Sequence, residues 1–515
     1  MRLWEAVLLI LAVVGGDGLK ILGIFPFASY SHNSLGSKLM RDLAARNHQV
    51  TFISAFEEKN AAKNLRVVHM KGAYENLQEM FKNVNLFESN SRWMVTNTLL
   101  VHGMWMQITR EVLEHPNTKK LLSSGEEFDL IVIEQFLNDA HKGFCHHYNA
   151  PCVIFSAVGT NHWTNDLVGN PSNPSYMPEM IIGHAGPMDF WQRVKNTAIV
   201  VYTQLFKHLK AIPDHDRLMH ETFPDAPPLK QLIRETALVL LNSHPSITTP
   251  NPHVPNMIEI GGFHVEPPKS LPEDIKAFLD GAGKDGAIYF SMGSNLKSKS
   301  FPLDKREGIM KALSKLKMKV LWKFEDENLL GKPSNVLIKK WLPQQDVLAH
   351  PNVKLFISHG GLLSTIEAIY HGVPVLGIPV FGDQAMNMKH AVQNGFAVMT
   401  SYSTLSEDTF GEALNQILAD PKYADNAKMR SRIMHDRPIK PKDSAMFWIE
   451  YIGRHGLADH LKSPAIHLKL HQVLLLDVIG FYLFVFIFTP LSIYYALKRI
   501  CRYTRAGKII KKKSK

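Results

Sequence analysis

The sequence predicts an α/β protein made of two doubly wound domains, followed by a single membrane-spanning helix. Apolar strand-like runs alternate with amphipathic helical stretches, and this alternation restarts after a proline-rich segment that begins near residue 250. Residues 478–497 form a 20-residue stretch without a charged side chain, which is the length a helix needs to cross a bilayer. At 515 residues the chain is long enough for two cores of about 200 residues each.

The first α/β unit illustrates the pattern. Residues 19–27 read as a strand, 34–47 as a helix and 49–54 as the next strand. The proline-rich segment after residue 250 then divides the chain into an N-terminal domain, 19–250, and a C-terminal domain, 251–470.

Both ends of the chain carry targeting signals. Arg2 precedes an apolar run and a group of small glycines, so residues 1–18 are predicted to be a cleavable signal peptide. The membrane helix is placed at 474–497 and is followed by a basic tail at 498–515. These segments predict a single-pass type I protein with lumenal domains and a short cytosolic tail.

The formal charge of +11 lies mostly in that tail, which holds nine Lys and Arg residues and no acidic residue. Removing these nine charges leaves +2 on the rest of the chain, so composition gives no support for a nucleic-acid partner. Lysines at 512 and 513 resemble the dilysine retrieval signal of endoplasmic-reticulum membrane proteins. A merely basic flank attracted to anionic lipid is the alternative.

Three cysteines are too few for a disulfide framework. Two unpaired buried thiols are favoured at Cys145 and Cys152 over a bridge between them. Neither Asp214-His-Asp216 nor Cys145-His-His147 is expected to bind a metal, since both resemble ordinary helical segments. No cofactor and no metal are therefore expected.

The densest segment, 353–384, reads as a strand, a glycine turn, a helix, a second strand and a loop. Gly360 and Gly361 let the backbone approach a ligand closely, and the helix that follows points its N-terminal amides at that ligand. Such an arrangement suits a phosphate group, although a glycine pair alone is weak support because many α/β sheets carry one.

A wider set of residues strengthens this interpretation. The set is Trp341-Leu-Pro-Gln344, His359-Gly-Gly361, Glu367 and Asp383-Gln384. With these residues the chain resembles the UDP-glycosyltransferase family, particularly its insect members, over most of its length. The resemblance implies the GT-B fold, in which two Rossmann-like domains face a cleft, with the acceptor bound by the first domain and the UDP-sugar by the second.

The resemblance also assigns the donor-binding residues. Trp341 would stack on uracil and Gln344 would hydrogen-bond near the base and ribose, while Glu367 would accept the two ribose hydroxyls. Asp383 and Gln384 would hold the sugar. The phosphate-side residues would be Ser291, Gly293, Ser294, His359, Gly361 and Ser364. Leu363 is a departure, because many relatives outside insects carry Asn there.

His32 lies in a predicted loop, 28–33, after the first strand, at the edge where α/β folds expose functional groups, and the resemblance implies that it is the general base. The family orients this histidine with a carboxylate, and both Glu134 and Asp139 could serve. Asp139 is slightly favoured because it preserves the residue type. The predicted reaction is an in-line displacement at the anomeric carbon, with inversion.

The expected donor is UDP-glucose. The chain resembles the insect members of the family, which typically use UDP-glucose, more closely than it resembles the vertebrate members. Five aromatic residues suggest a small lipophilic, phenolic acceptor, joined through oxygen or carbon: Phe25, Phe27, Tyr30, Trp163 and Tyr176. The alternatives are a lipid or sterol glycosyltransferase of the same fold and a UDP-sugar-binding membrane protein without catalysis. The oligomeric state stays open, with a homo-oligomer among the alternatives.

Overall fold

The computed structural model describes residues 18–58, 61–82, 94–294 and 296–513. The predicted signal peptide lies outside these residues apart from Gly18, and so do the last two residues of the tail. The chain folds into two compact units, one that ends at Lys462 and one that begins at Ser463.

The first unit contains a seven-stranded parallel sheet with the order β3-β2-β1-β4-β5-β6-β7. Its strands are β1 (Lys20–Ile24), β2 (Gln49–Ser54), β3 (Leu65–His69), β4 (Leu130–Glu134), β5 (Cys152–Ser156), β6 (Leu238–Leu241) and β7 (Met257–Glu259). The helices between them are Tyr30–Ala45, Ala73–Lys82, Met94–Glu114, Pro116–Leu122, Asp139–Lys142, Gly143–His147, His162–Val168, Met180–Ile182, Phe190–Phe206, Lys207–Ala211, Ile212–Thr222 and Leu229–Arg234.

This sheet is buried on both faces. Along β1, Ile21 packs into the core on one face, whereas Leu22 and Ile24 pack into the core on the other. Side chains alternate between faces in a strand, so a strand covered on both sides must be apolar at consecutive positions. This requirement explains the continuous apolar runs from which the strands were predicted.

The first helix, Tyr30–Ala45, begins four residues earlier than predicted. Its N-cap is Ser29, whose hydroxyl accepts a hydrogen bond of 3.4 Å from the backbone N–H of His32. His32 therefore lies in the first turn of a helix and not in the predicted loop. A helix fixes the backbone of this residue more firmly than a loop does.

The second sheet has six parallel strands in the order β10-β9-β8-β11-β12-β13. They are β8 (Ala287–Ser291), β9 (Lys319–Lys323), β10 (Val336–Lys339), β11 (Val353–Ser358), β12 (Val375–Gly377) and β13 (Ala397–Met399). The helices of this part are Glu273–Asp280, Ser298–Ser300, Leu303–Ser314, Gln344–Leu348, Leu362–Tyr370, Gln384–Gln393, Glu407–Ala419, Lys422–His435, Pro441–His455 and Asp459–Leu461.

The two sheets do not divide the chain at the predicted boundary of residue 250. Strand β7, Met257–Glu259, still belongs to the first sheet. The helix Pro441–His455 also returns to the first sheet, because Met446 and Ile449 are buried in its core. Only tertiary packing reveals this return, since the helix has an ordinary amphipathic sequence.

The C-terminal unit is helical, with segments Pro464–His467, Leu470–Val473, Leu476–Leu483, Phe484–Phe488 and Thr489–Lys513. Residues Leu476–Arg505 include a window of mean hydropathy 2.0 and form one helix long and apolar enough to cross a membrane. A π-helical turn, Phe484–Phe488, ends two residues before Pro490. Proline lacks an N–H and disrupts the regular helical bonding, so an adjusted turn is expected there.

Candidate active site

Each sheet has one point where the strand order reverses. In the first sheet β1 lies beside β4, and in the second sheet β8 lies beside β11. Ligands of open α/β sheets bind outside the carboxyl ends of the strands at such points. His32 follows β1, Glu134 ends β4, Gly293 follows β8 and His359 follows β11.

One cavity of about 1120 Å³ joins the positions of His32, Gly293 and His359. It is lined by His32 and by all eleven residues predicted to bind the donor: Ser291, Gly293, Ser294, Trp341, Gln344, His359, Gly361, Ser364, Glu367, Asp383 and Gln384. Its volume exceeds that of a typical small-molecule site, which ranges from about 300 to 1,000 Å³. The cavity is therefore large enough for two substrates side by side.

His32 is oriented by a buried carboxylate. Its Nδ1 lies 2.5 Å from Oε1 of Glu134, which has no exposed surface. The imidazole is held edge-on by Phe27 and Phe136, at ring-centroid distances of 4.7 and 4.9 Å. A carboxylate only accepts hydrogen bonds, so this contact favours the tautomer in which Nδ1 carries the proton and Nε2 keeps the lone pair that a general base needs.

Asp139 does not contact His32, although the sequence argument slightly favoured it. Its carboxylate accepts hydrogen bonds from Lys142 Nζ at 2.7 Å and from Gln135 at 3.2 Å. Burial opposes its ionisation, but the charges of Lys142 and of neighbouring basic groups outweigh burial and lower the pKa of Asp139 to about 2. Glu134, and not Asp139, is therefore the carboxylate that contacts His32. The sequence contains an indication of the pairing between Asp139 and Lys142, because residues three positions apart meet on one face of a helix.

The phosphate side is built around His359. A Cβ atom on Gly293 would lie 2.6 Å from Cε1 of the imidazole, and one on Gly361 would lie 2.6 Å from its Nε2. Gly293 also has a φ of +82°, so both space and conformation require glycine there. Burial, reinforced by the charge of Lys323, lowers the pKa of His359 to about 4, and its Nδ1 has no partner among the described residues. A neutral imidazole can still donate one hydrogen bond to a phosphate oxygen.

The serines of this side mainly hold the turns. Ser291 Oγ accepts a hydrogen bond from the N–H of Gly293, and Ser358 Oγ accepts one from the N–H of Gly360, both at 3.2 Å. The helix Leu362–Tyr370 starts directly after Gly361. Its free N-terminal amides and positive dipole end are therefore positioned for an anion.

Lys323 is a cation at this site that sequence reasoning missed. Its Nζ donates a hydrogen bond of 2.7 Å to the carbonyl of Gly293 and lies 5.3 Å from the ring centroid of Trp341. Burial lowers its pKa, and the nearby Glu325 opposes that shift. The sequence could have pointed to Lys323 through its position, because it is the last residue of β9, the strand beside β8.

Among the predicted nucleoside residues, Gln344 and Glu367 are bonded to each other, and Trp341 lines the same cavity. Trp341 is 63% exposed, so it is not a core residue. Glu367 is buried and accepts hydrogen bonds from the amide of Gln344 at 2.5 Å and from that of Gln345 at 2.9 Å. Burial opposes ionisation of Glu367, but His264 and the two amides together lower its pKa. Gln345 and His264 were not predicted; Gln345 directly follows Gln344 in the same motif.

The predicted sugar residues lie at the start of the helix Gln384–Gln393. Asp383 accepts a hydrogen bond of 2.7 Å from the side-chain amide of Asn387, and burial raises its pKa, although that hydrogen bond and the charge of His32 oppose the shift. Gln384 Oε1 accepts the N–H of Val380 at 2.9 Å, so only its amide nitrogen remains for a ligand. Leu363 lines the same cavity with an apolar side chain.

The aromatic residues suggested for the acceptor do not all line the cavity. Of the five aromatic residues suggested for the acceptor, Phe27, Tyr30 and Trp163 line the cavity, whereas Phe25 and Tyr176 do not. Phe25 is a core residue, against which the backbone of the first helix packs closely at Gly36.

The interpretation of the cysteines was wrong. Cys145 and Cys152 form a disulfide, with their Cα atoms 5.8 Å apart. Within the described ranges, no group of three or more His, Cys, Asp or Glu side chains could hold a metal ion. Asp214 of the Asp-His-Asp segment instead pairs with His102 and Lys210. Metal independence of the reaction stays a prediction.

The same fold occurs in solved glycosyltransferases. CalG4, the calicheamicin glycosyltransferase, matches 86% of this chain and 100% of its own with a TM-score of 0.60 at 18% identity. UDP-glucose: anthocyanidin 3-O-glucosyltransferase in complex with UDP covers the same shares with a TM-score of 0.58 at 16% identity. The two parallel sheets facing one cavity therefore define the GT-B class.

The family model described as UDP-glucoronosyl and UDP-glucosyl transferase matches residues 20–515, and the chain belongs to this family. UDP-glycosyltransferase UGT5 of Dactylopius coccus is 36% identical over 94% of this chain and 92% of its own. UDP-glucosyltransferase 2 of the same insect is 34% identical over 94% and 93%. Human UDP-glucuronosyltransferase 2B10 is 30% identical over 86% and 87%. The protein is a UDP-glycosyltransferase.

Proposed function

We propose that this UDP-glycosyltransferase transfers glucose from UDP-glucose to a small lipophilic acceptor, with His32 as the general base and with inversion at the anomeric carbon. One observation carries the proposal. His32, held by Glu134 at 2.5 Å, lines the cavity that also contains the donor-binding motif. A base and an activated sugar held in one cavity are what glycosyl transfer needs.

The reaction follows from the hydrogen-bonding state of His32. Nε2 takes the proton of the acceptor hydroxyl while the acceptor oxygen forms a bond to the anomeric carbon. The bond between that carbon and the diphosphate breaks, and UDP leaves with the electron pair. Glu134 stabilises the imidazolium that results, because its carboxylate contacts Nδ1 directly.

The leaving diphosphate acquires charge as the bond breaks, so groups that donate hydrogen bonds to it lower the barrier. His359, the amides that follow Gly361 and the ammonium of Lys323 lie together on this side of the cavity. In this proposal they supply the stabilisation, and the reaction requires no metal ion.

The acceptor side supports a lipophilic, aromatic substrate. Phe27, Trp105 and Phe136 contact one another around His32, with ring centroids 4.6 to 5.8 Å apart. Aromatic walls of this kind favour flat apolar molecules. A phenol combines a flat apolar ring with a hydroxyl group. Its oxygen or a ring carbon could receive the sugar, so the linkage is proposed as O- or C-glycosidic.

Glucose is proposed as the sugar because a relative at 34% identity bears the name UDP-glucosyltransferase 2. The human relative is a glucuronosyltransferase, which makes UDP-glucuronate the competing donor. The protein is further proposed to reside in the endoplasmic-reticulum membrane, with its catalytic domains in the lumen. The apolar part of the helix Leu476–Arg505 and the basic tail, 498–515, support this topology.

The test is a donor scan on microsomes that contain the full-length protein. UDP-glucose, UDP-glucuronate and UDP-galactose are each offered with a panel of phenols, and UDP release and product mass are measured. A glucosylated phenol that is formed equally with and without EDTA is expected, and the His32→Ala protein should form about 10²- to 10⁴-fold less.

The alternatives give different results. A glycosylated product found only in the lipid extract would indicate a lipid or sterol acceptor. Binding of UDP without any product would indicate a non-catalytic protein. Equal product from the wild-type and His32→Ala proteins would exclude the mechanism. Protease protection of the domains in sealed microsomes tests the lumenal topology.

A further inference from the structure

Most polar side chains on the acceptor side of the cavity are already bonded within the protein. Gln135 bonds to Asp139 and Lys142, and His102 bonds to Asp214. Such groups are held by the fold and contribute little to recognition of a second molecule. A buried polar group without such bonds, by contrast, pays a desolvation cost that a ligand can remove.

Glu179 is such a group. It lines the cavity and is 8% exposed, yet its buried Oε2 has no hydrogen-bond partner among the residues that the structure describes. The nearest basic atom is Nε2 of His162, which lies 3.7 Å from Oε2 and is too distant for a hydrogen bond. Burial raises the pKa of Glu179 to about 7, with Lys207 acting in the opposite direction.

The position of Glu179 does not depend on its side chain. Its backbone N–H donates a hydrogen bond of 2.8 Å to Asn196. A few residues on, Gly183 packs against Ala385 of the helix that begins with Gln384, where an added Cβ would lie 3.3 Å away. The backbone is thus anchored at both ends, and the carboxyl group is left for another role.

We propose that Glu179 is a second acceptor-binding residue, which accepts a hydrogen bond from a hydroxyl group other than the one that receives the sugar. The inference rests on the proposed function and narrows it to acceptors with at least two hydroxyl groups on an apolar frame. A neutral hydroxyl fits better than an ammonium group, because Lys195 also lines the cavity and Lys207 lies near the carboxylate.

The experiment compares 1-naphthol with a positional series of dihydroxynaphthalenes and with 5-amino-1-naphthol, using the full-length protein in detergent. The quantity of interest is the ratio of kcat/KM for each diol to kcat/KM for 1-naphthol. The wild-type protein should prefer at least one diol isomer. In Glu179→Leu, which keeps a side chain of similar size without the carboxyl, that ratio should fall about 10- to 100-fold. Glu179→Gln, which can still accept a hydrogen bond, should restore part of the preference.

His162→Phe is the matched control. His162 is as deeply buried and lies 3.7 Å from Glu179, but it is not among the cavity-lining residues. It should keep the wild-type ratio. If the two residues form only a structural pair, both variants should lower the thermal midpoint and reduce transfer to every acceptor by the same factor.

The outcomes separate this inference from the proposed function. No transfer to any naphthol by the wild-type protein would count against the proposed function. Transfer to 1-naphthol without preference for any diol, or a preference that survives in Glu179→Leu, would overturn only the role of Glu179. A preference for the aminonaphthol that Glu179→Leu abolishes would replace the hydroxyl group by an amine and overturn that part of the proposal.

Discussion

Glu134 Oε1 lies 2.5 Å from His32 Nδ1, although 102 positions separate the two residues in the chain. The contact exists because β1 and β4 are neighbours in the sheet, so that the end of β4 lies beside the helix that follows β1. Ser29 fixes the first turn of that helix, and Phe27 and Phe136 fix the ring. The orientation of the proposed base is therefore a property of the sheet order.

Glu134→Gln should lower kcat about 10²- to 10⁴-fold, because an amide keeps the size of the side chain but cannot stabilise an imidazolium by charge. Affinity for UDP should stay at the wild-type value, since Glu134 lies behind His32 and does not line the cavity. Steady-state kinetics and calorimetric titration with UDP measure the two quantities. A kcat within twofold of wild type would contradict the role of Glu134.

Asp139→Asn, unlike Glu134→Gln, should lower the free energy of unfolding and leave kcat close to wild type. It leaves the buried ammonium of Lys142 without its carboxylate, and such losses cost about 3–5 kcal/mol of the free energy of unfolding. Chemical denaturation in detergent measures this loss, and kcat measured below the unfolding transition should be close to wild type. If kcat fell as far as in Glu134→Gln, Asp139 would have a catalytic role after all.

The contribution of the Asp139–Lys142 pair to the free energy of unfolding should depend on pH. The pKa of Asp139 is lowered to about 2 in the folded protein from an ordinary value of 3.8. Its contribution to stability is thus fully present above about pH 4 and fades as the pH falls towards 2. The acid limb of the stability profile should be shallower in Asp139→Asn than in the wild-type protein.

Trp341→Ala should weaken UDP binding by about 5- to 150-fold, since stacking of a base on an aromatic ring contributes about 1–3 kcal/mol. The side chain is 63% exposed, so the substitution should leave the free energy of unfolding nearly unchanged. Trp341→Phe keeps an aromatic face and serves as the control. Unaltered affinity in Trp341→Ala would place the uracil elsewhere.

Lys323→Met should weaken binding more strongly as phosphates are added to the nucleoside. Its ammonium lies beside the loop of Gly293 and the ring of His359, where the diphosphate is proposed to bind. Uridine, UMP and UDP are titrated in turn, and the ratio of the variant's Kd to that of wild type should rise along this series. An equal loss for all three ligands would mean that Lys323 only supports the Gly293 loop.

Sequence alone determined the alternation of strands and helices, the membrane-spanning candidate and the donor motif. These features are local: a strand buried on both faces needs consecutive apolar residues, and a glycine such as Gly293 is required where its backbone turns against His359. All eleven predicted donor residues accordingly line one cavity. Their roles in binding stay predictions.

Only the tertiary structure decided which residues meet across the chain. Glu134 rather than Asp139 contacts His32, Cys145 bonds to Cys152, and the helix Pro441–His455 returns to the first sheet. In none of these cases did the local sequence pattern identify the partner. The choice depended on strand order, on burial and on competing charges such as Lys142, and none of these is a property of a short segment of sequence.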